Sequence, residues 1–547
     1  MSAAEAKYNS WTKAGLVSRI VELEAELKRH GHVKEPPTPQ PQAPPSHGGS
    51  SGAGADASAG NSTVEKAKTK GKMDPSKYST RFIALKLAYL GKRYGGYEYS
   101  SSGVLPSIEE ELWKALTRTH LIFPTQDERI VDFDCCEYAK CGRTDRGVSA
   151  FGQVISLRVR SAKPLPKKQA PPAAEENQQA QTGEQTESPE EEKPEVLRPF
   201  DPVHDELDYP RLLNRLLPDD IRILAWCPSP PPGFSARFSC GERQYRYFFT
   251  QPAFMPLPQR GGSSRVKTGW LDVEAMRDAA RRFEGTHDFR NFCKIDMSKQ
   301  ISEFVRVIYE SDIEEVEGDT TNLPFLQTAS LADSKLAGEA GNYPKVYSFN
   351  VKGSAFLWHQ IRHMVAILFL VGQGLESPSI VTELLDIKAN PARPGYVMAH
   401  ESPLVLSDCI FPSGDRSVRG PDAIEWVYSS GNPAVGMFGK AGLFHSVWET
   451  WRGHKTEELL SSQLLKYVAA RAGDIDGMVV DTPDTRLAEG APGGRHAGSY
   501  QPIMKMAKLE TPEVMNERYA QRRGFANSDA MRASKGKRKL DEDTADE

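Results

Sequence analysis

The stretch Cys141-Gly142-Arg143-Thr144-Asp145-Arg146-Gly147-Val148-Ser149-Ala150 sets one carboxylate between two arginines, with a glycine on either side. A strand-like run, Phe151 to Val159, follows at once. A lone acid flanked by cations should have a depressed pKa and stay ionised. On a glycine-rich loop at the edge of a sheet, an ionised carboxylate can act as a nucleophile. The alternative is a salt-bridged hairpin turn, and for an arbitrary Arg-x-Asp-Arg that alternative is favoured.

Three later blocks also hold chemistry-bearing residues. Phe234 to Tyr247 is dense in cations and aromatics, including Arg237, Arg243 and Arg246. In an extended strand Tyr245, Tyr247 and Phe249 point one way, Arg246 and Phe248 the other. This is either an ordinary sheet core with a solvated arginine edge, or an RNA-facing surface where arginines hold phosphates and a ring stacks on an unpaired base. The run from Phe356 to Val371 contains His359, Arg362 and His363 on one helical face. The histidine spacing imitates a zinc-protease helix, but that class needs Glu where this chain has Gln360, and Arg362 would repel a metal. A buried arginine on an apolar helix needs an anionic partner, and Asp145 is the candidate. His287-Asp288, inside Gly285 to Lys294, reads as a helix-end turn in preference to a catalytic pair.

The elements that must position these residues can be read from hydrophobic spacing. Ile83, Leu85, Leu87 and Tyr89 alternate as in a strand. Ile108, Leu112 and Leu116 mark one helix face, with Ser107 as its cap. A helix near Tyr209 to Leu216, a strand from Ile221, a strand from Gln244 to Thr250, a helix from Asp272 to Phe283, a strand from Val346 and a helix from about Phe356 follow. The pattern predicts an α+β fold, two strand–helix halves with helices packed on mainly antiparallel sheets. The expected divisions are an N-terminal region 1–79 with a short amphipathic helix, Leu16 to Leu27, and a basic linker; a first half 80–225; a second half 226–411; and a C-terminal extension 412–547. Pro/Glu/Gln-rich residues 163–195 are expected to loop out disordered, as are the two chain ends, and about 318–342 reads as another loop insertion.

The chain has 547 residues and a formal charge of −4, but acidic tracts at Glu175 to Glu192 and Asp541 to Glu547 mask a basic remainder. Nucleic acid is therefore compatible as a partner. Seven cysteines lack a disulfide framework, and Cys135, Cys136 and Cys141 find no second pair at zinc spacing. The most apolar run carries His359, Arg362 and His363, so no membrane span is expected. Walker and dinucleotide glycine loops are absent.

Taken together, Gly142 to Ala150, Asn214 to Ile221, Phe234 to Tyr247, Gly285 to Phe289, and Phe356-Leu357 with Ile361-Arg362 resemble the TruA family of tRNA pseudouridine synthases. The resemblance runs from about Arg81 to Phe411, excluding the two insertions. Gly285 to Lys294, Gln360 to Gly374 and Met398 to Leu406 look most like the eukaryotic branch, which modifies positions 38 and 39 of the tRNA anticodon arm. What the resemblance implies is isomerisation of uridine to pseudouridine in a flipped-out nucleotide. Asp145 would engage the ribose, Tyr245 would move a proton or stack on uracil, and Arg362 would pair with Asp145. Arg143 and Arg146 would grip phosphates, with Arg237 and Arg243 also facing RNA. It implies tRNA as partner and no cofactor or metal, and it leaves a homodimer open, as in bacterial members. A non-catalytic tRNA-binding protein on the same scaffold is the competing reading. The basic run Lys535 to Lys539 points to nucleus and cytoplasm together.

Overall fold

The structure is a computed structural model. It describes residues 73–165, 198–256, 269–316, 344–416, 418–428, 442–473 and 500–535. The expected helix at Leu16 to Leu27, nearly all of both loop insertions and the acidic tail lie outside the described residues.

Strand β1 (Ser79–Tyr89) buries Ile83 through Leu87 without a break. One face fills the core as the alternation predicts. The other is also covered: the Lys86 ammonium sits 2.7 Å from Asp408 and over the Trp426 ring. Helix α1 (Ile108–Arg118) starts where expected, with Ser107 Oγ accepting from the Glu110 N–H. The short β2 (Ala139–Lys140) leads to the Asp145 loop, and β3 (Ser149–Ser161) leaves it. Helix α2 (Tyr209–Asn214), capped by Asp208, precedes β4 (Ile221–Cys227).

Next along the chain come β5 (Glu242–Gln251), α3 (Val273–Arg281), β6 (Gly285–Asp288), β7 (Val305–Glu315), β8 (Lys345–Gly353), α4 (Gln360–Gly372), α5 (Ile380–Leu385) and β9 (Leu404–Ile410). Every residue of α4 is buried, as the apolar run 364–371 requires of its later turns, and the polar Gln360, Arg362 and His363 of its first turn are buried with them. This helix begins later than the hydrophobic run suggests. His359 takes a left-handed φ of 61°, and Gln360 Oε1 accepts the Leu357 N–H, so Phe356 to His359 form an irregular approach instead of a first turn.

Among the described residues nine strands form one mixed sheet in the order β4-β1-β3-β9-β5-β8-β7-β6, with β2 paired to β3. All pairings are antiparallel except a two-residue parallel contact, Ser149 with Val405 and Ala150 with Leu406. Late in sequence, β9 lies between β3 and β5. Strands before and after residue 227 thereby join one sheet, packed against two apolar core clusters, and the expected division at 225/226 falls inside β4. The fold is α+β, as the sequence predicts. Beyond β9 lie helices α6 (Leu443–Ala469) and α7 (Pro512–Arg522). Helix α7 braces the 294–301 loop: Gln300 Nε2 donates to the Asn516 carbonyl, and Asn516 Nδ2 to that of Ile301. Among the described residues no helix is long and apolar enough to cross a membrane.

Candidate active site

The β3-β9-β5 junction decides which side chains meet. Asp145 lies just before β3, Glu401 just before β9, and Tyr245 within β5, opposite Leu406 of β9. The approach to α4 adds Trp358 and His359, and its first turn adds Arg362. These groups line a cleft of about 750 Å³ together with Arg143, Arg146 and the basic side chains Lys294, Lys299 and Arg306.

The Asp145 loop is clamped along its backbone. Tyr97 N–H donates to the Thr144 carbonyl, Gly147 N–H to that of Tyr94, and Val148 N–H to that of Asp145. Gln153 grips Gly142 from both sides of the peptide, and Tyr89 hydroxyl bonds Thr144 Oγ1 at 2.7 Å. Two glycines are obligatory here. Gly147 has φ +78° and lies under Glu401, whose Cγ would stand 2.7 Å from an added Cβ. At Gly91 a Cβ would fall 2.0 Å from the Val148 carbonyl oxygen.

The carboxylate itself differs from the expectation in two ways. Arg143 and Arg146 are exposed, and Arg143 pairs with Glu98 at 3.0 Å. Asp145 instead receives the Trp358 indole N–H at 3.2 Å, and His359 Nε2 lies 3.3 Å from its other oxygen. Burial pushes its carboxyl above the usual carboxylate range, against the opposing pull of Arg362, the Trp358 donor and Lys294; Glu401 adds to the rise. The expected depression therefore fails, because neither flanking arginine forms an ion pair with the carboxylate, while burial acts on it directly. His359 is held down at about 4 by burial and by Arg362, Lys294 and Arg393, so its ring is neutral at physiological pH.

Arg362 is also placed differently. Its Nη2 donates to Glu401 at 2.7 Å and its Nε to the Ala399 carbonyl at 2.8 Å. The expected direct pair with Asp145 is replaced by an indirect Coulombic influence, since Glu401 reaches the guanidinium first. Tyr245 does line the cleft, edge-on to Phe356 with ring centroids 5.2 Å apart, and burial raises its phenol well above its usual range. Arg243 and Arg237 do not line the cleft. Arg243 is spent on carbonyls, Nη1 on Ser354 and Nη2 on Cys141 at the root of the Asp145 loop, because β5 carries it beneath that loop. Arg237 is exposed over Phe238. His363, buried in α4, faces Arg393 and not His359's partner. Asp288 ends strand β6 and accepts from the Arg290 N–H and guanidinium, so the expected helix-end turn is in fact a strand end.

Sequence reasoning missed Trp358, Glu401 and Lys294, whose ammonium sits 4.4 Å from the Trp358 ring centre. The dense block around His359 signalled Trp358; nothing local singled out Glu401. It also missed that Cys141, Cys240 and Cys409 come together.

The profile of a family described as tRNA pseudouridine synthase matches residues 279–412. The tRNA pseudouridine(38/39) synthase of Saccharomyces cerevisiae is 34% identical over 542 residues, covering 96% of this chain and 95% of that protein. The chain belongs to the TruA family of tRNA pseudouridine synthases. It is an isomerase of that class. The pseudouridine(38/39) synthase of Bos taurus is 35% identical over 473 residues, 84% of this chain and 81% of that protein. That of Homo sapiens is 36% identical over 413 residues, 76% and 67%. The synthase therefore carries a family-matched segment that supplies Lys294, Trp358, Arg362 and Glu401, joined by β9 to the Asp145 loop outside it.

Proposed function

We propose that this synthase converts uridines 38 and 39 of the tRNA anticodon stem-loop to pseudouridine, with Asp145 as the nucleophile. The positions follow from the names of the relatives in yeast, cattle and human. The observation that supports the nucleophile is the clamped loop that holds Asp145 in a basic cleft, beside the Tyr245 ring.

The reaction moves one bond. The ribose C1′–N1 bond breaks, C1′ bonds to C5, the C5 hydrogen leaves as a proton, and N1 gains one. No oxidant or reductant is consumed. The uridine must leave the stack, at a cost of about a few kcal/mol, and phosphate contacts from Lys294, Lys299, Arg143 and Arg146, which line the cleft, would offset this. Asp145 attacks C1′ and frees the uracil, which turns until C5 faces the ribose and displaces the carboxylate. The phenol of Tyr245 is protonated in the free enzyme, which favours its ring as a face for uracil; proton removal from C5 is a later role that needs the phenol to lose its own proton. The basic run at Lys535 to Lys539 supports action in both nucleus and cytoplasm.

The test compares wild type with Asp145→Ala on a tRNA carrying uridine at both positions, mapping product site by site and measuring binding separately. The expected result is product at both positions for wild type, and none for the variant with tRNA still bound. Product from the variant, or product confined to other positions, overturns the proposal.

A further inference from the structure

Three cysteines from separate segments meet under the catalytic loop. Cys141 opens that loop, Cys240 precedes β5, and Cys409 lies in β9. All three are buried, and their Sγ atoms all lie within 4.8 Å of one another. Buried thiols often serve as small apolar fillers. Here a second observation points beyond packing. Arg243 reaches the same spot, donating to the Cys141 carbonyl at 2.9 Å. Its other hydrogen bonds go to the carbonyls of Ser354 and Arg237, and among the described residues no carboxylate lies within ion-pair distance of it. These carbonyls satisfy its N–H groups but leave its charge without a counter-ion, which an anion beside it would supply.

We propose that Cys141, Cys240 and Cys409 form a structural site for a thiophilic closed-shell cation, Zn(II) or Cu(I), held as a tris-thiolate beside Arg243. Metal–sulfur bonds of about 2.3 Å place three sulfurs about 4.0 Å apart in a trigonal complex. The thiols need to close by less than about 1 Å to reach that spacing, whereas a disulfide demands about 2.05 Å and leaves one thiol over. Soft thiolates select these cations. Three thiolates on Zn(II) carry one net negative charge, which the guanidinium neutralises. On Cu(I) they carry two; the three-coordinate site suits Cu(I) as it stands, whereas Zn(II) would take a water as its fourth ligand. Each thiol gives up its proton to solvent on binding, and nothing is oxidised or reduced. The bound cation would pin the loop root to β5 and β9, four residues from Asp145, without touching the substrate.

The experiment uses the full chain. Reduced protein is incubated anaerobically with Zn(II) alone or Cu(I) alone, desalted, and its metal content measured by mass spectrometry; alkylation of the native protein then reports which cysteines are shielded. One equivalent of either metal is expected, with Cys141, Cys240 and Cys409 shielded and a higher melting temperature. Cys240→Ser and Cys409→Ser should each lose the metal, while Cys135→Ser keeps it. Which arm loads identifies the cation. Less than about a tenth of an equivalent in both arms for folded wild type overturns the proposal, and needs no variant to do so. Metal retained in full by Cys240→Ser, or lost with Cys135→Ser, overturns it equally.

Discussion

The indole of Trp358 is the direct donor to Asp145, and its removal gives a signed prediction. Its N–H stabilises the ionised carboxylate, so Trp358→Phe should raise the Asp145 pKa further while keeping a ring in the cleft. A hydrogen bond to a charged group contributes about 1.5–3 kcal/mol. At 3.2 Å, from a side chain 42% exposed, the figure to use is nearer about 1 kcal/mol. One pKa unit corresponds to about 1.36 kcal/mol, so the rise should be about 0.7 unit. The assay is pseudouridine formation under single-turnover conditions with limiting tRNA across a pH series, since kcat/KM reports the groups of the free enzyme. The acid limb should move to higher pH by about that amount. Well below the wild-type midpoint the variant should be slower by about fivefold. On the alkaline side, where Asp145 is ionised in both proteins, the two rates should converge. Superimposed acid limbs, or a shift to lower pH, would refute the assignment of the limb to Asp145 and of Trp358 as its donor.

Glu401→Gln should do the reverse: it keeps an acceptor for Arg362 but removes the anion that raises Asp145, so the acid limb moves to lower pH. Asp145→Asn should raise the melting temperature at pH 8 by on the order of 1–2 °C, because a carboxyl with a raised folded-state pKa costs stability once ionised. That gain should vanish below the usual carboxylate pKa; a lower melting temperature at pH 8 would contradict the burial argument. Arg243→Ala should lower kcat by at least about tenfold with little change in tRNA affinity or its salt dependence, and should cost about 1–3 kcal/mol of stability for the carbonyls left unpaired. If Arg243 were a phosphate ligand, affinity would fall and the salt slope would drop by about one.

Much of the scaffold was legible because it rests on local rules. The Ser107 cap, the alternation of β5 and the buried run of α4 each follow from spacing within a dozen residues. The order of strands does not. β9 is the last strand in sequence among the described residues, yet it sits between β3 and β5 through a parallel contact of two residues. No local periodicity encodes that insertion, and it is the insertion that assembles the site. The start of α4 was misplaced for a related reason. A hydrophobic run marks burial, whereas the helix begins only where the backbone leaves the left-handed turn at His359.

The same division governs the charges. The sequence could state that a buried arginine in α4 needs an anion, but not choose between Asp145 and Glu401. That choice depends on where β9 begins relative to α4: Ala399 N–H donates to the Arg362 carbonyl, and Arg362 Nε returns a bond to the Ala399 carbonyl. This two-way clamp leaves Glu401 within 2.7 Å of the guanidinium. The consequence reaches Asp145. An arginine already paired acts at a distance as a dipole, and its pull on a third charge is weaker than that of a free cation. Burial therefore outweighs it, and the carboxyl rises where flanking arginines alone argued for a fall. An unpaired Arg362 would keep Asp145 firmly ionised, but it would also hold the carboxylate in a strong pair that the proposed attack on C1′ would have to break. The Glu401 partnership leaves Asp145 with one indole donor and a neutral imidazole, a weaker hold that costs some ionisation and, under the proposed mechanism, leaves the carboxylate freer to attack.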